Sequence, residues 1–178
     1  MKAGIPKGLL YYKYHPFLIT FFVELGAEVI TSEDTNKDIL DLGVKYCVDE
    51  ACLPIKIFHG HVASIKDKCD FIVLPRIMQL EKNEFICPKF CGLPEMVLNN
   101  IDNMPDAVTE PMYFLSKNSL YQWAKTAGRQ ITNNPYRIKY AFLNAYEAQQ
   151  KYATGIKDDS GNMKVALVGH PYNIYDEF

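Results

Sequence analysis

Cysteine is the residue type in this chain with the most distinctive chemistry, and it occurs at Cys47, Cys52, Cys69, Cys87 and Cys91. The count of 5 is odd, and the first residues lack the apolar core and the small-residue cleavage site of a secretory signal. We therefore expect no disulfide framework and a cytoplasmic protein. Three roles remain for these thiols: core side chain, reactive group or metal ligand.

The positions of Cys52 and Cys87 suit a metal site. Cys52 opens a predicted helix and Cys87 follows a predicted buried strand, so both fall at the carboxyl edge of the predicted sheet, where open α/β folds bind ligands. A helix N-terminus favours the thiolate form of a cysteine. Cys91 follows Cys87 with three residues between them, and soft thiolates select iron–sulfur clusters, zinc or copper. Spacing alone leaves the metal and structural interpretations of Cys52 and Cys87 open, whereas the other thiols fit buried side chains better.

Other polar candidates give weaker signals. His59 and His61 are two residues apart, so on a helix they point to different sides and do not chelate one ion. Hydrogen-bonded structural histidines are the better interpretation. The turn over residues 4–8 contains Lys7 and is similar to a phosphate-binding turn, but it matches neither the dinucleotide-binding fingerprint nor the P-loop. Asp49 and Glu50 are either acid–base groups or acidic residues that favour a helix start.

The elements that must position these residues form an α/β pattern. Apolar segments predict strands over residues 3–6, 28–31 and 70–75. Helical periodicity with capping residues predicts helices over residues 16–25, 37–42 and 52–65. Gly26 and Gly43 would end the first two helices as C-caps. Strands that alternate with helices imply a parallel sheet flanked by helices.

The rest of the sequence is less regular. Residues 76–89 have no steady period and predict a loop. The segments after it predict helices over 93–101, 118–128 and 136–155, with a short strand over 107–109. The polar run 157–162 predicts a linker, and residues 164–171 predict a buried strand with no helix after it. We therefore assign one domain to residues 1–160, and to residues 163–178 either the first strand and loop of a truncated second domain or the last strand of the same sheet.

Length and composition limit the function classes. A chain of 178 residues suits one domain, and 48% hydrophobic with 22% charged residues excludes a disordered or low-complexity protein. The net charge of −2 gives no basic field that would collect nucleic acid. The longest apolar run has about eight residues, far short of the roughly 20 that a membrane span needs. We expect neither nucleic acid nor a membrane as a partner.

Several unusual strings occur in an order that resembles a known family. They are Gly4-Ile-Pro-Lys-Gly-Leu-Leu-Tyr-Tyr12, Val48-Asp-Glu-Ala-Cys-Leu-Pro-Ile-Lys56, Phe58-His-Gly-His61, Leu74-Pro-Arg76, Ile86-Cys-Pro-Lys89, Gly92-Leu-Pro94 and Gly169-His-Pro-Tyr172. Over essentially its whole length the chain resembles the domain of unknown function associated with acyl-CoA dehydratase activases. That domain is distantly similar to the subunits of 2-hydroxyacyl-CoA dehydratases and benzoyl-CoA reductases.

The resemblance implies a Rossmann-like domain and a [4Fe–4S] cluster held by three cysteines between two such halves. Two of those cysteines match Cys52 and Cys87. The third comes from the second half, beyond the end of this chain, which leaves Cys91 as the remaining candidate here. The function implied is low-potential electron transfer to a CoA thioester system, as a dehydratase-like or reductase-like component if the chain is part of an enzyme.

The resemblance also implies partners. They are an ATP-hydrolysing activase domain or subunit, since these residues show no ATP-binding signature, and a homologous second subunit. The competing interpretation is a non-catalytic α/β module that binds a partner protein or a small anionic ligand, with all 5 cysteines structural.

Overall fold

The structure is a computed structural model that describes residues 1–153, 155, 163, 165–166 and 168–176. Its strands are β1 (Lys2–Ile5), β2 (Glu28–Thr31), β3 (Phe71–Val73), β4 (Arg76–Glu81), β5 (Glu84–Phe85), β6 (Asp106–Val108) and β7 (Pro111–Tyr113). Its helices are α1 (Tyr11–Glu24), α2 (Lys37–Tyr46), α3 (Leu53–Ile65), α4 (Pro88–Cys91), α5 (Leu93–Asn100), α6 (Lys117–Ala127), α7 (Pro135–Lys151) and α8 (Pro171–Ile174).

The main sheet is parallel, with the strand order β2-β1-β3-β6. Its central strands β1 and β3 are buried, which explains their continuous apolar sequences. All four strands end at one side of the sheet, at Ile5, Thr31, Val73 and Val108, and we call this side the carboxyl edge. The predicted α/β class, with a Rossmann-like parallel sheet flanked by helices, is confirmed.

The predicted loop over residues 76–89 is wrong, because this segment forms β4, β5 and α4. β4 pairs antiparallel with β5 and parallel with β7 in a second sheet of three strands. Asn83 adopts a φ of 65°, in the left-handed region that asparagine tolerates, and so permits the tight turn between β4 and β5. The prediction failed because β4 obtains its parallel partner from a distant segment, which local periodicity does not reveal.

Helix α1 begins at Tyr11, earlier than predicted, and therefore holds Pro16 in its interior. Proline has no N–H to donate to the carbonyl four residues earlier, which here belongs to Tyr12. The hydroxyl of Tyr152 donates to that carbonyl oxygen at 3.2 Å. Gly26, at a φ of 91°, ends the helix in the left-handed region, as predicted. The proline is thus tolerated because Tyr152, directly after α7, supplies the missing donor.

Gln149 of α7 supports the same turn of α1 from both sides. Its Nε2 donates to the carbonyl of Lys13 at 2.9 Å, and its Oε1 accepts the N–H of Phe17 at 3.3 Å. We expect Gln149→Leu to lower the free energy of unfolding by about 1–2 kcal/mol, because both backbone groups lose this partner. Urea denaturation measures the change. The neighbouring exposed Gln150→Leu is the control, and equal midpoints for the two variants would contradict the prediction.

Helix α2 does not end at Gly43 as predicted but continues to Tyr46. The glycine is needed instead where α2 crosses α3, because a Cβ on it would overlap the carbonyl oxygen of Lys56. Gly60 of α3 makes the reciprocal contact, and a Cβ there would overlap the carbonyl oxygen of Ile39. The two helices therefore pack backbone against backbone at this crossing.

The later predicted helices and the short strand are confirmed with shifted ends, as α5, α6, α7 and β6. The predicted linker over residues 157–162 lies outside the described residues. In the predicted strand over 164–171, residues 165–166 and 168–170 are not in a strand and Pro171 opens α8, while residues 164 and 167 are not described. The division into two domains stays a prediction. No helix of the described residues has the length and apolar character needed to cross a membrane.

Candidate functional site

Cys52 lies at the N-cap position of α3 with its thiol exposed. Its carbonyl accepts the N–H groups of Ile55 at 3.0 Å and Lys56 at 3.2 Å, while no side chain caps the helix. Because α3 leads into β3 of the parallel sheet, it begins at the carboxyl edge. The thiol is therefore free to bind a ligand and lies at the positive end of a helix dipole.

Cys87 directly precedes α4, a helix of 4 residues, and its thiol is also exposed. The chain leaves β3 at the carboxyl edge, passes through β4 and β5 of the second sheet, and then reaches Cys87. The N–H of Phe90 donates to the carbonyl of Cys87 at 3.0 Å, and the buried ring of Phe90 anchors this turn in the core. The exposed thiol thus stands at the start of a short, packed turn.

Tyr172 of α8 lies beside the start of α3, because it lines a cavity together with Leu53 and Pro54. The pKa of its phenol is raised, first by burial and then by charge on Cys52 and on Cys87. The ring of His170 stacks on that of Tyr172 with centroids 5.1 Å apart. Both exposed thiols belong to segments that start from the carboxyl edge, and α8 packs beside the start of α3 there.

The remaining thiols are enclosed by their surroundings. Cys69 Sγ donates to the carbonyl of Ile65 at 3.4 Å, and the half-buried Cys91 Sγ lies 3.9 Å from the carbonyl oxygen of Ile77. Burial raises the pKa of the Cys47 and Cys69 thiols. Nowhere in the described ranges are three Cys, His, Asp or Glu side chains grouped so that they could hold a metal ion. The exposed pair suits the softness of an iron–sulfur cluster, but the described residues do not complete its ligand set.

A buried hydrogen-bond network centres on His61 of α3. Its Nδ1 lies 2.9 Å from Ser32 Oγ, and its Nε2 lies 3.1 Å from Thr35 Oγ1. Ser32 Oγ also accepts the backbone N–H of Lys7 at 2.9 Å. Burial lowers the pKa of His61 to about 4, so the ring is neutral at pH 7. The structural interpretation of this histidine is confirmed, and the network joins α3 to the segments that follow β1 and β2.

The turn after β1 is not organised for an anion. Lys7 Nζ pairs with Asp34 Oδ1 at 2.6 Å, and its backbone N–H is already used in the network. Gly8 has a φ of 117° and Leu9 a φ of 51°, which is a costly conformation for a buried leucine. Residues 4–8 are similar in sequence to a phosphate-binding turn, but the Lys7 ammonium is paired with Asp34 and is not free to bind a phosphate.

A cavity of about 340 Å³ opens at the carboxyl edge beside Cys52. Its lining comprises Leu9, Leu53, Pro54, Ile57, Tyr172, Asn173 and Asp176. One wall is apolar and belongs to α3 and the turn after β1, while the polar wall belongs to α8 and to Asp176, two residues after α8. Asp176 Oδ1 is buried and has no hydrogen-bond partner among the described residues.

The sequence did not reveal the hydrogen-bond partners of His61. Ser32 and Thr35 precede α2 in the sequence, but Asn36 caps that helix by accepting the N–H of Ile39 at 3.0 Å, which leaves the two hydroxyls to His61. The available signal was the buried histidine itself, since a buried imidazole needs polar partners from neighbouring elements.

Comparison with known families defines what the chain is. The model of the family described as the CoA enzyme activase uncharacterised domain matches residues 2–178. The chain belongs to this family. No curated protein and no solved structure matches the sequence. The predicted resemblance to an activase-related domain of unknown function is thus confirmed. The family description assigns neither a reaction nor a cofactor.

Proposed function

We propose that this CoA enzyme activase uncharacterised domain binds a [4Fe–4S] cluster through Cys52 and Cys87 and acts in electron transfer to a CoA thioester system. The observation that carries the proposal is the pair of exposed thiols, Cys52 and Cys87, in segments at the carboxyl edge. Free cysteines with a purely structural role are usually buried. Two exposed thiols in segments at one edge of the sheet therefore favour a ligand role.

Each residue near the thiols has a defined part in this proposal. Cys52 ligates from the N-terminus of α3, where the dipole stabilises a thiolate. Leu53 and Pro54 line the cavity beside it, and apolar walls of this kind limit the access of water to a metal site. Cys91, one helical turn after Cys87, is the candidate third ligand. The bound cluster would supply one-electron transfer at low potential.

The partners follow from the same proposal. The family description names a CoA enzyme activase, which supports an activase-related context. We propose an ATP-hydrolysing activase domain or subunit as the source of the electron, in the cytoplasm. A homologous second subunit is the other partner, and its site would face the carboxyl edge of this domain.

One observation favours a second candidate function, a non-catalytic module that binds a partner protein. In the described part of the chain no three Cys, His, Asp or Glu side chains come together as a metal site, at these thiols or elsewhere. An anionic ligand fits less well, because Asp176 lines the cavity and Lys7 is already paired with Asp34. In this alternative the thiols would flank a protein-binding surface at the carboxyl edge.

Anaerobic reconstitution with iron and sulfide separates the two candidates. We expect the 178-residue chain to gain broad visible absorbance from thiolate-to-iron charge transfer, with bound iron and sulfide measured chemically. Cys52→Ala and Cys87→Ala should each lose this absorbance, because each removes a ligand. Cys91→Ala shows whether the third candidate takes part.

Cys69→Ala is the matched control, because Cys69 directly precedes the segment that enters β3 and therefore lies at the edge of the sheet opposite to the carboxyl edge. A colourless reconstituted chain would reject the iron–sulfur function. Colour that survives in both Cys52→Ala and Cys87→Ala would reject the assigned ligands.

A further inference from the structure

Arg76 connects four elements at the carboxyl edge. It is the first residue of β4, and its Nε donates to the carbonyl of Thr109, after β6, at 2.9 Å. Its Nη1 donates to the carbonyl of Cys91, the last residue of α4, at 3.1 Å. Its Nη2 pairs with the carboxylate of Glu95 in the first turn of α5. One guanidinium group thus fixes the relative positions of β4, β6, α4 and α5.

Helix α4 depends on such support. A helix of 4 residues has almost no stability of its own, and its last carbonyls lack intrahelical donors. Two contacts hold this turn in place. The ring of Phe90 is buried in the core, and Arg76 donates a hydrogen bond to the carbonyl of Cys91. Cys87 stands at the free end of the same turn, so its location is set by how firmly α4 is held.

We propose that Arg76 is a positioning residue that holds α4 so that the Cys87 thiol meets the site it shares with Cys52. The inference rests on the proposed function in one respect, that these two thiols act on the same metal. Lysine cannot replace the arginine, because a single ammonium group does not reproduce a planar fork that reaches three acceptors in fixed directions.

Binding of Cd²⁺ to the metal-free chain tests this without a cluster. Two thiolates that meet at one site bind Cd²⁺ with an ultraviolet charge-transfer band, and Cys52→Ser and Cys87→Ser identify the part of the band that needs both thiols. We expect Arg76→Gln to weaken this binding by roughly tenfold, as is typical when a supporting residue of a metal site is removed. Arg76→Lys should also weaken it, whereas Glu95→Gln should have little effect because both carbonyl bonds remain.

Arg137→Gln is the matched control. Arg137 also donates from Nη2 to a distant carbonyl, that of Leu25, at 3.0 Å. Leu25 directly follows α1 and precedes β2, so this bond lies at the opposite edge of the sheet. A general loss of stability should appear in both arginine variants during urea denaturation, whereas only the Arg76 variants should bind Cd²⁺ more weakly.

The outcomes separate the two proposals. Wild-type Cd²⁺ affinity in both Arg76→Gln and Arg76→Lys would overturn the positioning role, as would an equal loss in Arg137→Gln. Cd²⁺ binding by the wild type that does not need both Cys52 and Cys87 would overturn it as well, because the thiols would then not meet. Normal Cd²⁺ pairing together with a chain that reconstitutes no iron would reject the cluster and leave the positioning role intact.

Discussion

Gly60→Ala is expected to lower the free energy of unfolding by about 3 kcal/mol or more. The new methyl group would overlap the carbonyl oxygen of Ile39 and lie 3.1 Å from the amide nitrogen of Gly43, and both are backbone atoms of α2. The backbone of a packed helix cannot move aside as a flexible side chain can, so α2 and α3 would have to separate. In an isolated helix the same substitution stabilises by roughly 1 kcal/mol, which makes a net loss diagnostic of the contact. Urea denaturation followed by circular dichroism measures it.

Gly43→Ala should behave similarly, because its Cβ would overlap the carbonyl oxygen of Lys56 from the other side of the crossing. Gly92→Ala is the control, since its added Cβ would have no described heavy atom within 4 Å apart from those of Gly92 and its two chain neighbours. It should leave the midpoint almost unchanged. Equal stability of Gly60→Ala and Gly92→Ala would show that α2 and α3 do not touch through their backbones.

The sequence predicted those parts of the fold whose signal is local. β1, β2 and β3 were found because short apolar runs bounded by glycine, proline or charge are typical of buried parallel strands. The interior proline of α1 concealed the helix start, because the groups that compensate for it are contributed by α7, more than 130 residues later. β4 and β7 were missed for the same reason, since each depends on a partner outside its own sequence window.

The candidate site divides in the same way. A helix start and a strand end place Cys52 and Cys87 at the carboxyl edge, so topology alone could locate them. Arg76 could not be found, because its three acceptors come from three separate segments and no periodicity relates them. Tyr172 was known only as part of a string that resembles a family, and its place beside the start of α3 depends on how α8 packs.

Lowering the pH from 7 to 4 is expected to remove about 3 kcal/mol of stability through His61 alone. Burial lowers the pKa of this histidine from 6.5 in the unfolded chain to about 4 in the folded protein. The unfolded state therefore binds the proton more readily. The contribution of His61 is complete above pH 6.5 and is lost progressively as the pH falls toward 4. Urea denaturation at a series of pH values measures the loss.

The charged groups around the ring set the size of this effect but not its sign. The Lys7 ammonium also lowers the pKa of His61, whereas Asp176 and Asp34 raise it, and burial outweighs them all. The pKa of Asp34 is itself held below 3.8 by Lys7, so this carboxylate titrates at the acid end of the range or beyond it. The pKa values of Glu95 and Glu147 are also lowered from 4.5, by Arg76 and by Lys151, so a variant of His61 is needed to isolate its share of the loss between pH 6.5 and 4.

His61→Gln isolates the contribution of this residue. The amide has no charge at any pH in the window, and it can still donate to one of the two hydroxyls and accept from the other. Burial also lowers the pKa of His59 and of His15, so the variant should retain part of the pH dependence. The difference in the free energy of unfolding between wild type and variant should shrink by about 3 kcal/mol from pH 7 to pH 4. Stability profiles of wild type and variant that run parallel from pH 7 to pH 4 would contradict the prediction. They would mean that the folded protein protonates His61 as readily as the unfolded chain does, with the hydroxyls of Ser32 and Thr35 as acceptors for the imidazolium.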